Sequence, residues 1–243
     1  GPARSAKDNI SNFYPGLYDR SRCSVSAFDD DGLVDPELCD TLNGIVTPGS
    51  PQATGPALVE RHYQDWEPRF GIAWMPLSNR RLVIRTGAGI FHGRDAGSLT
   101  SALGLPPPYN RTVELTSLSF AALSAGKLSP FNPETPQAPT FLQVLDPVYK
   151  TPTSYQYSFG AQYELAPRST IDLSYVGSRQ IHQGRNRDIN QVPAQYRKEV
   201  FEGEVNPDLV RPYLGYSNIY VNERVGSTRY NSLQGMFSHR MGR

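Results

Sequence analysis

The 243-residue chain contains no apolar run near the ~20 residues that a membrane-spanning helix needs. No membrane-spanning helix is therefore expected within these residues. No charged start followed by an apolar centre marks a signal peptide. An exported protein with this sequence is thus expected to be a mature form or a piece of a longer chain. Charge of one sign is also lacking: 24 Lys and Arg stand against 23 Asp and Glu, a net charge of +1. Such a balance implies no strong overall field for nucleic acid or an anionic surface. Cations gather locally, as in Arg179 to Arg187, in the way a solvated loop commonly does.

Reactive and metal-binding residue types are scarce. The four histidines, His62, His92, His182 and His239, lie far apart, with no HxH or HExxH spacing. Gly87 and Gly89 follow a strand pattern but lead into Phe91-His92, not into a helix with a third glycine, so no dinucleotide loop is expected. No GxSxG or other nucleophile context occurs. No enzyme is expected. The two cysteines, Cys23 and Cys39, have no CxxC spacing and no neighbouring histidine. They fit a disulfide closing a Pro/Asp/Gly-rich loop in an oxidising compartment, or else two free thiols.

What the chain does hold is aromatics and chain breakers: 14 Tyr and 10 Phe beside 21 Gly and 21 Pro. That mixture suits β-strands joined by long connections. The clearest strand signal runs from Ser154 to Val176. Tyr155, Tyr157, Phe159, Ala161, Tyr163 and Leu165 share one parity; Gln156, Ser158, Gly160, Gln162 and Glu164 share the other. After a break at Ala166-Pro167-Arg168-Ser169, Ile171, Leu173 and Tyr175 resume the alternation. Period-two patterning across a tight connection predicts an antiparallel hairpin. A second hairpin pairs Phe70, Ile72 and Trp74 with Leu82, Ile84, Thr86, Ala88 and Ile90; its other face carries Arg85, Gly87 and Gly89. Strands are expected at about 68–76, 82–92, 153–165, 170–178, 215–224 and 229–241. Residues 1–67 show no sustained period and read as a long, ordered loop segment. Long loops are also expected at 93–150 and 179–212. Within the first, Thr116 to Lys127 fits either a short helix or irregular chain.

Short turns on one side and long connections on the other describe an outer-membrane β-barrel. The strands suit tilted spans of ~9–11 residues. One face is apolar with aromatics near the ends, as an interfacial girdle would be; the other is small and polar, as a wet lumen would be. A soluble β-domain, with its apolar face inward, is the alternative.

Several segments resemble one family. Pro68 to Trp74 with Arg85 to Phe91, Tyr155 to Gly160, Ser174 to Arg179, Arg187-Asp188-Ile189-Asn190-Gln191 and Tyr230 to Gln234 are similar, in consistent order, to segments of TonB-dependent, Oar-like receptors with a carboxypeptidase-regulatory-like domain. Asn43-Gly44-Ile45-Val46 with Pro48-Gly49 resembles a loop motif of the same family. The resemblance implies an all-β fold of antiparallel up-and-down strands, with long external loops and short periplasmic turns. It places the chain in the outer membrane of a Gram-negative bacterium. It implies solute uptake with external capture loops, a plug domain and TonB as partners, and outer-membrane lipid around the wall. The plug and the regulatory-like domain have no counterpart here, so a partial barrel is expected, its missing strands supplied from elsewhere. A secreted or surface-exposed β-rich adhesion module without transport is the alternative function.

Two sets of side chains are candidates for binding. Tyr109, Asn110, Arg111, Arg185, Arg187, Tyr213 and Tyr216 are aromatic or basic residues in loop contexts, suited to ligand capture. Asp29, Asp31 and Asp35 gather carboxylates around Gly32, a composition that suits a hard cation such as Ca²⁺. An EF-hand register would put Ala27 and Leu38 at its first and last ligand positions, so a tight site of that kind is not expected.

Overall fold

The computed structural model describes residues 8–29, 32–60, 65–93, 102–110 and 137–241. The chain divides into two compact units. Unit 1 comprises Gly1–Arg61, Asp95–Tyr149 and Arg185–Glu223; unit 2 comprises His62–Arg94, Lys150–Gly184 and Arg224–Arg243. Strands β1 (Asn12–Phe13) and β2 (Ile45–Val46) pair antiparallel. The main sheet holds β3 (Arg69–Trp74), β4 (Leu82–His92), β5 (Thr140–Leu145), β6 (Thr153–Ala166), β7 (Ser169–Asp188) and β8 (Tyr216–His239), in the order β3-β4-β6-β7-β8-β5.

Unit 2 is made of the two hairpins and the second part of β8. Tyr, Phe, Ile and Val alternate with small or polar residues, so each strand presents a greasy and a wet face. The register sets Phe70 opposite Ala88, Ala88 opposite Tyr157 and Tyr157 opposite Gly177. The β6–β7 connection is two residues long. Pro167 fixes the first and Arg168 adopts φ 74°, the positive φ that this kind of turn asks of its second central residue. Beyond the turn, the Arg240 N–H donates to the Arg168 carbonyl at 3.0 Å, and Ser169 Oγ lies 2.9 Å from His239 Nδ1. Those contacts set one antiparallel β7–β8 register, which brings Asn231 opposite Gly177. A Cβ on Gly177 would overlap the Tyr157 ring. The ring lies across that glycine and its hydroxyl donates to Asn231 Oδ1 at 2.9 Å.

Unit 1 holds the buried apolar clusters. One gathers Ile10, Tyr14, Val46, Leu58, Leu103 and Tyr149. A second gathers Phe13, Leu142, Val144, Tyr216, Ile219 and Val221. A third surrounds Cys23 and Cys39 with Ala27, Val34 and Leu214. The two cysteines form a disulfide, and Gly215 passes over it at φ 85°. A side chain there would sit 2.8 Å from Cys39 Sγ, so only glycine fits. Gly44 is constrained in the same way: at φ 82°, its Cβ would meet the Phe13 ring at 2.6 Å. Strand β5 pairs with Tyr216 to Asn222 of β8 in parallel. At the end of β5, the side chain of Asn12 pairs with the backbone of Leu145 as a strand neighbour would. Its Oδ1 accepts from Leu145 N–H at 3.2 Å and its Nδ2 donates to the Leu145 carbonyl at 2.9 Å.

The structure differs from the sequence expectation in four places. The ordered, largely irregular segment expected over residues 1–67 does more than connect: Phe13, Cys23 and Leu58 contribute core to unit 1. Strand β5 lies within the expected 93–150 loop. Strand β7 continues to Asp188 through the expected 179–212 loop, which also holds helices α1 (Arg197–Phe201) and α2 (Pro207–Val210). The expected strands 215–224 and 229–241 are one strand, because pairing carries the backbone through Val225-Gly226-Ser227. The Thr116 to Lys127 segment lies outside the described residues.

A disulfide closing a loop of this length stabilises by about 3 kcal/mol, chiefly by restricting the unfolded chain. Cys23→Ser with Cys39→Ser should therefore make unit 1 markedly easier to cleave in limited proteolysis. Wild-type resistance in the double variant would contradict the role given to the disulfide.

Candidate functional site

Unit 2 carries a band of large, exposed apolar side chains. Phe70, Ile72 and Trp74 on β3, Phe159 and Leu165 on β6, Leu173 on β7, and Leu233 and Phe237 on β8 are between 49% and 78% exposed. Tyr230 and Met236, also exposed on β8, lie on one face, whereas these side chains and their paired rows lie on the other. Row by row these are Ile90–Tyr155–Arg179, Ala88–Tyr157–Gly177, Thr86–Phe159–Tyr175, Ile84–Ala161–Leu173 and Leu82–Tyr163–Ile171. The opposite face carries Arg85, Gly87, Gly89, Gln156, Ser158, Gly160, Gln162, Asp172 and Ser174. No buried hydrophobic cluster of the described residues lies in unit 2. A sheet in water must bury one face. This sheet exposes its apolar face and keeps its polar one, which is the arrangement lipid requires.

On the polar face, Arg69 stacks on Phe91 at 4.7 Å from the ring centroid and bonds Glu67 at 3.1 Å. At the same end of the strands, the His92 N–H donates to Glu67 Oε1, and the Glu67 carboxyl is held below its ordinary value mainly by that bond. On the apolar face, Asn231 Oδ1 accepts hydroxyls from both Tyr157 and Tyr175, at 2.9 and 2.8 Å.

The residues expected to capture ligand all fall in unit 1, in unequal situations. Tyr109 is half exposed, and the Asn110 N–H donates to the Pro106 carbonyl. Arg111 lies outside the described residues. Arg185 and Arg187 converge on Glu223: Arg185 at 3.1 Å, and Arg187 through Nε at 2.8 Å and a second N–H. Tyr213 packs edge-on against Phe13 and Tyr18, at centroid distances of 5.3 and 5.0 Å. Tyr216 is corrected outright. It is 1% exposed, and its hydroxyl donates to the Asn43 carbonyl at 2.8 Å, so it is a core residue. Asp29 and Asp35 serve their own turns, accepting from the Leu33 and Glu37 N–H groups; Asp31 lies outside the described residues. Among the described residues, no three His, Cys, Asp or Glu side chains gather as a metal cage.

Sequence reasoning passed over the polar knot that fixes the 189–215 connection. Asn190 Nδ2 reaches the carbonyls of Tyr213, Tyr216 and Ser217, and its Oδ1 accepts from Tyr213 N–H. Arg211 donates to the Asn190 carbonyl and to Asp208. Asp188 accepts from Asn218 and from Ile219 N–H. The Asp-Ile-Asn run was visible in the sequence, but the partners that make it a knot are more than twenty residues away.

A family model described as "outer membrane beta barrel domain" matches residues 1–243. The chain belongs to that family. No curated protein and no solved structure matches the chain. As an outer-membrane barrel domain, it crosses the hydrocarbon with strands; no described helix is long and apolar enough to do so. Tyr155 and Tyr163 lie eight residues apart on β6, ~27 Å along a strand at ~3.4 Å per residue. Strands of outer-membrane barrels tilt by ~35–45°, which projects that length to ~19–22 Å, within the ~25 Å height of a barrel's apolar band. The level of Tyr155 falls at Arg229 on β8, so Glu223 lies outside the band.

The Arg187 bonds, with those of Arg185, hold the Glu223 carboxyl below its ordinary value although burial pushes it up. A carboxyl depressed in the fold contributes stability that is complete above its ordinary value of 4.5. That contribution is lost as pH falls through the lower folded value. Glu223→Gln should cost unit 1 about 1–3 kcal/mol at neutral pH and flatten its acid response, read as protease resistance against pH. An unchanged acid profile would contradict the pairing. For the wall, Phe159→Arg should cost ~2–4 kcal/mol of barrel stability near the bilayer midplane, with Gln162→Arg tolerated. Equal tolerance in a denaturant titration of the lipid-inserted protein would overturn the assignment of faces.

Proposed function

We propose that this barrel domain is part of a TonB-dependent, Oar-like receptor that takes up a scarce solute. Unit 2 supplies wall strands, and unit 1 supplies the external loops that meet the solute. The family match places the chain among outer-membrane barrel domains; the receptor class rests on the sequence motifs. One observation carries the reading: the long connections are built rather than loose. A disulfide, three buried clusters and the Asn190 knot give unit 1 its own core, as a recognition surface on a rigid wall requires. The motifs behind the resemblance coincide with that construction. Asn43-Gly44 lies under Phe13, and Arg187 to Asn190 holds Glu223 and the Tyr213 turn. Exposed Tyr109 is a candidate contact for the solute, whereas Arg185 and Arg187 brace the loops through Glu223. The remaining wall strands and a plug coupled to TonB complete the transporter.

The adhesion-module reading predicts a different phenotype. Deleting the gene in the native host should abolish energised uptake of one solute from a labelled nutrient panel, and deleting TonB should abolish the same uptake. Full uptake in the deletion strain, with lost attachment to surfaces or cells, would favour the adhesion module.

A further inference from the structure

We propose that Arg179 and Arg229 form a fork at the loop-side rim of the apolar face that holds the phosphate of an outer-leaflet membrane lipid. The proposal rests on the outer-membrane reading with the long connections outward. Arg179 stands opposite Tyr155 on β6. The β7–β8 register fixed by Arg168–Arg240 and Ser169–His239 puts Arg229 directly across from Arg179. Both arginines are exposed, and both share the face of Tyr157, Tyr175 and Asn231. Like charges directly opposite each other across a sheet are destabilising by themselves. Among the described residues neither guanidinium has a carboxylate partner. The carboxylates of unit 2 are placed elsewhere. Glu164 and Asp172 lie on the opposite face, and Asp65 and Glu67 engage Thr151, His92 and Arg69.

One row toward the turn, Asn231 adds to the same donor set. Its Oδ1 is occupied by two phenol hydroxyls, which leaves the amide nitrogen as the end that can face a ligand. Two guanidinium groups and a carboxamide nitrogen offer donors and no acceptor. Such a set suits an anion with several oxygens, and the planar fork of arginine suits phosphate. Further along the strands the face is apolar and exposed, at Phe159, Leu173 and Leu233. An anion with acyl chains satisfies both features, with its headgroup on the arginines and its chains along the sheet. A free phosphate satisfies only the first.

The test uses the full chain, purified from outer membranes in mild detergent, with native mass spectrometry reading co-purified phosphorylated glycolipid. Heat-modifiable migration first checks insertion. If the wild-type chain does not insert, the membrane reading fails and the fork with it. If it inserts, it should retain glycolipid, and Arg179→Gln with Arg229→Gln should reduce retention by at least about tenfold. Arg85→Gln, on the opposite face, should leave retention unchanged. Equal retention in the fork variant would overturn the fork and leave the barrel reading standing. A second arm needs no variant. The wild-type chain should prefer the phosphorylated glycolipid over its enzymatically dephosphorylated form by about tenfold, and equal binding of the two would overturn the proposal. If inorganic phosphate bound as tightly as the lipid, the site would belong to a free anion and the lipid assignment would fall.

Discussion

A backbone in hydrocarbon has no water to satisfy it, so each N–H and C=O must find a partner inside the protein. The rest of this structure depends on that rule. It explains why unit 2 is a continuous ladder from β3 to β8, with a two-residue β6–β7 turn. Among the described residues it also shows where the ladder is unfinished. Strand β3 stands at one end of the sheet order, and β5 covers β8 only from Tyr216 to Asn222. At Leu145, the last residue of β5, the carboxamide of Asn12 takes the place of a further strand. Along the remainder of β8, lipid would demand another strand, which is why we read the domain as wall that further strands complete.

The two units solve opposite solvation problems with similar residues. Tyr216 in unit 1 is buried and gives its hydroxyl to Asn43, while Tyr157 and Tyr175 in unit 2 are exposed and give theirs to Asn231. In both settings a fixed carbonyl oxygen, on the backbone at Asn43 and on the side chain at Asn231, satisfies the phenol so that the ring can meet an apolar surround. The charged groups divide in the same way. Arg185 and Arg187 are neutralised by Glu223 within the protein, whereas Arg179 and Arg229 are left to an external anion. Asp19, on the surface of unit 1, is held below the ordinary aspartate value by the Ser21 hydroxyl and N–H, as a turn cap is.

The hairpins were legible because one face of each strand is apolar and the other is not. Phe70 to Trp74 and Tyr155 to Leu165 carry that signal in every second residue. Legibility ended where both faces become polar. Gln180 to Asp188 continues β7 with no apolar alternation to follow, and Val225-Gly226-Ser227 imitates a break inside β8. Strand β5 was hidden by the prolines around it, and parallel pairing with a strand more than seventy residues away leaves no local trace. Of the candidate site, the loop locations were readable but the environments were not. Nothing in the sequence near Tyr216 reveals that Phe13, two hundred residues earlier, encloses it, or that Glu223 waits for Arg187.

The central claim is that the odd-numbered residues of β6 face lipid and the even-numbered ones do not. Single cysteines at successive positions from 155 to 165, each carrying a fluorophore, can be quenched by brominated acyl chains in bilayers containing the full chain. The account predicts quenching that alternates with every residue and is strongest at 159 and 161. Uniform quenching along the strand, or a maximum at 158, 160 and 162, would contradict it.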